Sequence, residues 1–412
     1  MGRVHLGVDV FKAAYDRLFY LYSKGHRLVL SFSGGKDSTV CLELMIMAAR
    51  DAGRLPVEVI IQDEEISLPG TYEFVEETAA RPEVKMSWIV MQHPMINVFN
   101  RENPYWWTFD PEVPREKWVR EPPSWAEWAT DETAIELMTN PLRFPVEKTP
   151  IYEDWNFEET KQCLVSVLGL RVAESVKRQL GLYGSGSFMT GSNYVGVFAA
   201  RPIYDWTDGD VWKFIKETGC KYNRAYDTLY KMGVRKAALR IGPPTLNVAA
   251  LEGLTVAARA WPRWFDKVAN RLPGIRTAVQ FGKRTVEPYR KYGETWEQCF
   301  YRECVQEAPA WIAERAMKVV DRVLSGHSKH STAPFPESKS CPSCGMLGSW
   351  RILAKTLWGG DPYCQRTAGL LDLVEPKFFR PNSTKTWIGS PEFAKRLQTA
   401  GYKLKIPGMA SL

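Results

Sequence analysis

The most restrictive feature of the chain is a short apolar run that breaks onto two glycines. Arg27-Leu28-Val29-Leu30-Ser31-Phe32 lies between Gly25 and Gly34-Gly35. Its length, apolar content and flanking glycines predict a buried strand. Residues 38–50 are rich in Leu, Met and Ala, which predicts a helix directly after the turn. The connection reads Ser31-Phe32-Ser33-Gly34-Gly35-Lys36-Asp37-Ser38-Thr39. Glycines let the backbone turn tightly and bring its N–H groups close to a ligand. The helix N-terminus directs partial positive charge at the same point. Ser33, Ser38 and Thr39 add hydroxyl donors and Lys36 adds a full charge, so an anion is expected there. The run is not G-x-x-x-x-G-K-[ST], which excludes the common ATPase loop.

The surrounding pattern extends this unit into a sheet. Val10, Phe11, Ala14, Leu18 and Leu21 recur at helical spacing. Residues 57–62 and 86–91 read as further strands, and 68–80 as a second helix. Alternation of strand and helix predicts an α/β fold with a doubly wound parallel sheet. The pattern resumes at 162–173, 188–189 and 204–219. Between lies a stretch of about 100–160 holding Trp106, Trp107, Trp118, Trp125, Trp128 and Trp155. It reads as an insertion with little regular sheet, whose aromatic rings either fill a small core or stack a base. Residues 245–330 are helical in texture. Gly242-Pro243-Pro244 marks the expected boundary between a nucleotide-binding domain at 1–240 and a helical, cysteine-bearing domain at 241–412.

Charge and cysteine are unevenly placed. The 412 residues carry a net charge of +7 with 45% hydrophobic content, which excludes wholesale disorder. No apolar run reaches the roughly 18–20 residues of a membrane span. The N-terminus lacks the apolar core of a secretory signal, so a cytoplasmic location is expected. Residues 231–300 hold 13 Lys/Arg against 5 Asp/Glu. That segment suits nucleic acid or a polyphosphate, or else forms a solvated helical surface. Cys299, Cys304, Cys341, Cys344 and Cys364 crowd together within 66 residues. In a cytosolic chain such a cluster suggests a metal site more than disulfides. Cys341-Pro-Ser-Cys344 forms a metal knuckle by its spacing. Cys299 and Cys304 would complete four ligands, with Cys364 as a substitute and His327 and His330 nearby. Structural zinc, an iron–sulfur cluster and free thiols all stay open.

Ser-Gly-Gly-Lys-Asp-Ser after a strand resembles the PP-loop of the ATP-pyrophosphatase superfamily. Three further stretches resemble the phosphoadenylylsulfate (PAPS) reductases within it. These are Asp63-Glu64-Glu65-Ile66-Ser67-Leu68-Pro69-Gly70-Thr71-Tyr72-Glu73-Phe74, Gly169-Leu170-Arg171-Val172-Ala173-Glu174-Ser175-Val176-Lys177-Arg178 and Pro202-Ile203-Tyr204-Asp205-Trp206-Thr207-Asp208-Gly209-Asp210-Val211-Trp212. Asn223-x-x-Tyr226-Asp227-x-Leu229-Tyr230-x-x-Gly233 continues the likeness, which covers residues 25–240. It implies an adenine nucleotide alpha hydrolase-like fold that binds ATP or a sulfonucleotide with Mg²⁺. It further implies nucleotide contacts from Ser31, Ser33, Gly34, Gly35, Lys36, Asp37, Ser38, Thr39, Asp63, Arg171 and Arg178, with Lys36 and Asp37 catalytic. Arg171 and Arg178 are seven apart and would share a face if both lay on one helix. Thr207, with Asp210 three residues on, reads as a helix N-cap.

The resemblance fails where the reductases carry cysteines. Residues 233–242 and the C-terminal residues 407–412 contain none. Attack on a sulfonucleotide needs a positioned thiolate. The expected chemistry is therefore attack on the ATP α-phosphate with loss of pyrophosphate. The combination with a basic, cysteine-bearing C-terminal half resembles the IbrA-type proteins of prophages and bacterial islands. That likeness implies a ParB-like partner. The alternative function is a nucleotide-sensing regulator or DNA-associated co-activator.

Overall fold

The computed structural model describes residues 7–90, 94–110, 112–128, 164–174, 178–179, 188–191, 197–235, 239–242, 251–339, 341 and 348–361, with two short strands at 385–386 and 404–405. The chain divides into two compact units. One comprises Met1–Gln92 and Arg120–Pro243, the other His93–Val119 and Pro244–Leu412.

The first unit is α/β. It contains α1 (Val10–Ser23), β1 (Arg27–Ser31), α2 (Lys36–Asp51), β2 (Val57–Gln62), α3 (Thr71–Ala79), β3 (Val84–Val90), β4 (Glu127–Trp128), β5 (Leu164–Val167), β6 (Met189–Gly191), β7 (Val197–Ala200), α4 (Asp208–Thr218) and α5 (Ala225–Lys231). The seven strands form one sheet in the order β4-β3-β2-β1-β5-β7-β6. All pairs are parallel except β6 with β7. The predicted strand at 86–91 begins two residues earlier, at Val84.

Central strands buried on both faces must be apolar throughout. Leu28, Val29 and Leu30 of β1 and Leu164, Val165 and Val167 of β5 are all buried. The apolar face of α2 packs into the same core through Val40, Leu44, Met45 and Ala48, and α1 through Ala14, Leu18 and Leu21. Asp9 caps α1, its Oδ1 accepting from the Phe11 amide at 2.7 Å. Thr207 and Asp210 form the expected capping box on α4, with the Asp210 carboxylate accepting from the Thr207 amide at 2.7 Å.

The topology itself selects a place for a ligand. The chain runs β1, β2, β3 toward one edge, then returns to lay β5 on the other side of β1. Crevices at such a switch point lie beyond the carboxyl ends of the strands. The glycine turn leaves the end of β1, and Gly169-Leu170-Arg171 leaves the end of β5.

The second unit pairs a small hairpin, Pro94–Ile96 with Tyr105–Trp107, with helices including Leu251–Ala260, Pro262–Arg271 and Ala310–Ser328. Residues 93–119 thus group with the C-terminal segment rather than with the first unit. Trp106, Trp107 and Trp118 are buried in this unit. Trp125 and Trp128, in the first unit, are exposed. Trp155 lies outside the described residues. Among the described residues, no helix is long and apolar enough to cross a membrane.

Candidate functional site

The turn after β1 is built as its sequence requires. Gly34 has φ +68°, and a Cβ there would stand 3.1 Å from Val75 and 3.2 Å from Thr71. Gly35 is the N-cap residue of α2 and has no side chain with which to cap it. Gly169 is tighter still, because an added Cβ would meet the Asp37 carbonyl carbon and the Ser38 nitrogen at 2.8 Å. The β5 loop therefore lies directly on the start of α2. Asn223, fully buried, ties the turn to α3. Its Nδ2 donates to Thr71 Oγ1 at 2.9 Å and to the Gly34 carbonyl at 3.3 Å.

A cavity of about 530 Å³ opens over this junction, within the first unit. Four cations line it, Lys36, Arg171, Arg178 and Arg240, with three carboxylates, Asp37, Glu174 and Asp208. Arg171 is buried and its Nε donates to Asp37 Oδ1 at 2.6 Å. Lys36 Nζ lies 3.0 Å from Asp37 and 3.2 Å from Asp208. Asp37 is thus held between two cations and sets the position of both. Arg178 is more exposed and pairs with Glu174. Partial burial, followed by the nearby charge of Arg240, lowers the Arg178 pKa from its ordinary value.

The expected nucleotide residues do not all point the same way. Ser31, Ser33, Gly35, Lys36, Asp37, Ser38, Arg171 and Arg178 line the cavity. Thr39 does not: it is buried and its hydroxyl donates to the Gly35 carbonyl at 2.9 Å. Ser38 donates to the same carbonyl at 3.0 Å. Asp63 also lies off the cavity. It is fully buried, with Trp88 Nε1 at 2.9 Å, the Glu65 amide at 3.0 Å and a pairing with Arg120. Arg171 precedes a short turn, Val172–Glu174, rather than sharing a helix with Arg178. Both nonetheless line the one cavity.

Three cavity residues received no role from sequence. Tyr226 Oη accepts the Lys36 backbone N–H at 3.1 Å, and burial raises the phenol pKa far above its ordinary value. Asp208 joins Lys36 and Arg171. Arg240 faces the cavity from beyond α5. The Asn223-x-x-Tyr226 spacing was the available signal for the first.

Among the described residues, no three His, Cys, Asp or Glu side chains gather to hold an ion. Cys304 Sγ donates to the Ala354 carbonyl at 3.6 Å. Burial pushes the Cys299 thiol up to about 11. Cys341 is buried, with the Ser331 hydroxyl at 4.0 Å. Cys344 and Cys364 lie outside the described residues. His327 is buried, its Nε2 2.8 Å from the Ala333 carbonyl, while His330 is exposed. Part of the basic segment is spent internally in the second unit. Arg271 donates to the Trp107 carbonyl at 2.5 Å, Arg276 pairs with Asp266 at 3.1 Å, and Arg290 lies over Trp296.

The chain is similar to several known proteins. The chain is 25% identical over 380 residues to the uncharacterized protein YbdN of Escherichia coli (strain K12), covering 88% of this chain and 91% of that protein. Among solved structures, an FMN adenylyltransferase from Candida glabrata matches at 14% identity and TM-score 0.30, over 55% of this chain. The match spans 63% of that enzyme's length, less than two thirds. A PAPS reductase from Candida auris, in a phosphate complex, matches at 15% identity and TM-score 0.29, over 59% of this chain and 98% of that one. The U34-tRNA thiolase NcsA from Methanococcus maripaludis, with its [4Fe-4S] cluster, matches at 12% identity and TM-score 0.29, over 67% and 78%. The family model described as the phosphoadenosine phosphosulfate reductase domain matches residues 27–112, the segment that carries β1, the glycine turn, α2, β2, α3 and β3.

Proposed function

We propose that the chain binds ATP over the glycine turn and transfers its adenylyl group to an acceptor, releasing pyrophosphate. The observation that carries this reading is the cavity at the start of α2, where backbone amides, Lys36, Arg171, Arg178 and Arg240 converge. Phosphate oxygens are recognised by such planar guanidiniums and by helix N-termini. In the transfer, an acceptor oxygen attacks the α-phosphorus and the bond to the bridging β-phosphate oxygen breaks. Charge then builds on the departing pyrophosphate, where preorganised cations are most effective. Lys36 and Arg171 are preorganised because Asp37 holds both before any ligand arrives.

Magnesium takes oxygen ligands, keeps several waters and binds through phosphates with one or two carboxylates. Asp208 suits that role, since its side chain lines the cavity and is 38% exposed. Asp63 does not, being enclosed by Trp88, Arg120 and the Glu65 amide. With the nucleotide, Mg²⁺ would neutralise the leaving pyrophosphate.

The test is ATP binding by calorimetry, followed by pyrophosphate release with a panel of acceptors. Lys36→Ala is expected to abolish release. Failure of both ATP and a sulfonucleotide to bind the purified wild-type chain would falsify the reading. Elemental analysis for zinc and iron tests the separate proposal that the cysteines hold a metal.

A further inference from the structure

A second cavity, of about 430 Å³, adjoins the first within the same unit. Asp208 and Tyr226 line both. Its other walls include Trp212, Tyr222, Tyr230 and Asp227. The rings are arranged as a box. Tyr222 stands at 85° to Trp212 with centroids 5.6 Å apart, and Tyr226 at 88° with centroids 5.5 Å apart. Stacking a flat base calls for parallel faces, whereas perpendicular rings surround a compact group. The electron-rich faces of such rings attract a cation. The Asp227 carboxylate adds to that attraction, Asp208 being already engaged by Lys36 and Arg171, and the lining holds no lysine or arginine among the described residues.

The chain already shows this chemistry on its own side chain. Arg224 places its guanidinium 4.6 Å from the Tyr222 ring centre and 3.1 Å from the Asp227 carboxylate. That arginine side chain is 74% exposed, so the pairing is worth little in water and yields readily to a better-buried ligand. Tyr222 Oη donates to the other Asp227 oxygen at 2.8 Å and holds the carboxylate at the box.

We infer that this aromatic box binds an organic cation, an ammonium or guanidinium group. Resting on the adenylyl-transfer reading, the same box holds the cationic end of the acceptor, beside the nucleotide cavity across Tyr226 and Asp208. Cation binding itself does not depend on that reading, and the test separates the two.

Choline and agmatine are titrated by calorimetry into the nucleotide-free chain, with 3,3-dimethylbutan-1-ol as the neutral shape match of choline and adenosine as a flat neutral base. The cations are expected to bind about tenfold or more tighter than the neutral alcohol. Trp212→Leu and the more exposed Tyr230→Ala each weaken that binding, and Asp227→Asn weakens it further. Equal binding of choline and the alcohol, tighter binding of adenosine, or cation binding unchanged in folded Tyr230→Ala and Asp227→Asn overturns the inference. Cation binding without any ATP binding would leave the box standing and remove the adenylyl-transfer reading.

Discussion

Tyr226 Oη accepts the backbone N–H of Lys36 at 3.1 Å, so a side chain from α5 occupies the first amide of α2. That amide is one of the orphan donors at the helix start that an anion would otherwise take. The hydroxyl satisfies it. Tyr226→Phe removes the acceptor and leaves a buried donor unpaired, which costs about 1–3 kcal/mol. A phosphate oxygen can restore the bond. The variant is therefore expected to unfold at lower urea without ligand and to gain more stability than wild type from pyrophosphate. Equal gains in the two proteins would show that this amide is not an anion contact.

Gly169 tests how closely the two loops must approach. A methyl group there meets backbone atoms of Asp37 and Ser38 at 2.8 Å, and backbone cannot rotate away as a side chain can. Gly169→Ala is expected to cost about 1–3 kcal/mol and to weaken ATP binding by displacing Asp37. Gly253→Ala is the contrasting case. It lies within the helix Leu251–Ala260 and an added Cβ meets nothing within 4 Å. Alanine there is expected to stabilise by up to about 1 kcal/mol. Urea denaturation of both variants, with ATP calorimetry, checks the pair.

Gly34 and Gly169 show what sequence could and could not convey. The strand, the glycine turn and the helix were legible because each is a local preference: apolar run, turn residues, helix formers. Gly34 was legible as a turn residue, and its φ of +68° agrees. Gly169 entered only as part of a motif, because its constraint comes from a segment more than 130 residues away in the chain. The same limit applies to Asp63 and Thr39. Both sit in the expected motif, but which way a carboxylate or hydroxyl turns is decided by neighbours such as Trp88, Arg120 and the Gly35 carbonyl. Arg171 lies outside any helix yet lines one cavity with Arg178, a convergence that helical periodicity does not supply.

Arg171 is the test of charge balance. It is buried against Asp37 at 2.6 Å and Asp208 at 3.3 Å. Removing one partner from a buried ion pair leaves uncompensated charge and costs about 3–5 kcal/mol. Arg171→Gln is expected to lose stability on that scale and to lose ATP affinity as well. Arg178→Gln, at a more exposed pair with Glu174, is expected to lose affinity with little change in stability. If the two variants have the same stability, the buried network does not hold the site together.

Glu64 sets a pH dependence of stability. Burial, and then the charge of Asp63, push its carboxyl up to about 7. A carboxyl raised in the folded state is protonated there while the unfolded chain ionises it near the ordinary value, about 4.3. Between those two values the folded state holds more protons, so stability falls as pH rises. The loss begins near pH 4.3, continues to about pH 7 and then levels off, with a ceiling of about 4 kcal/mol from a shift of this size. Glu64→Gln keeps the shape and removes the titration. Urea midpoints measured from pH 5 to 8 are expected to show the variant overtaking wild type as pH rises, with the largest gain above pH 7. Parallel curves across that range would mean that Glu64 is ionised in the folded protein.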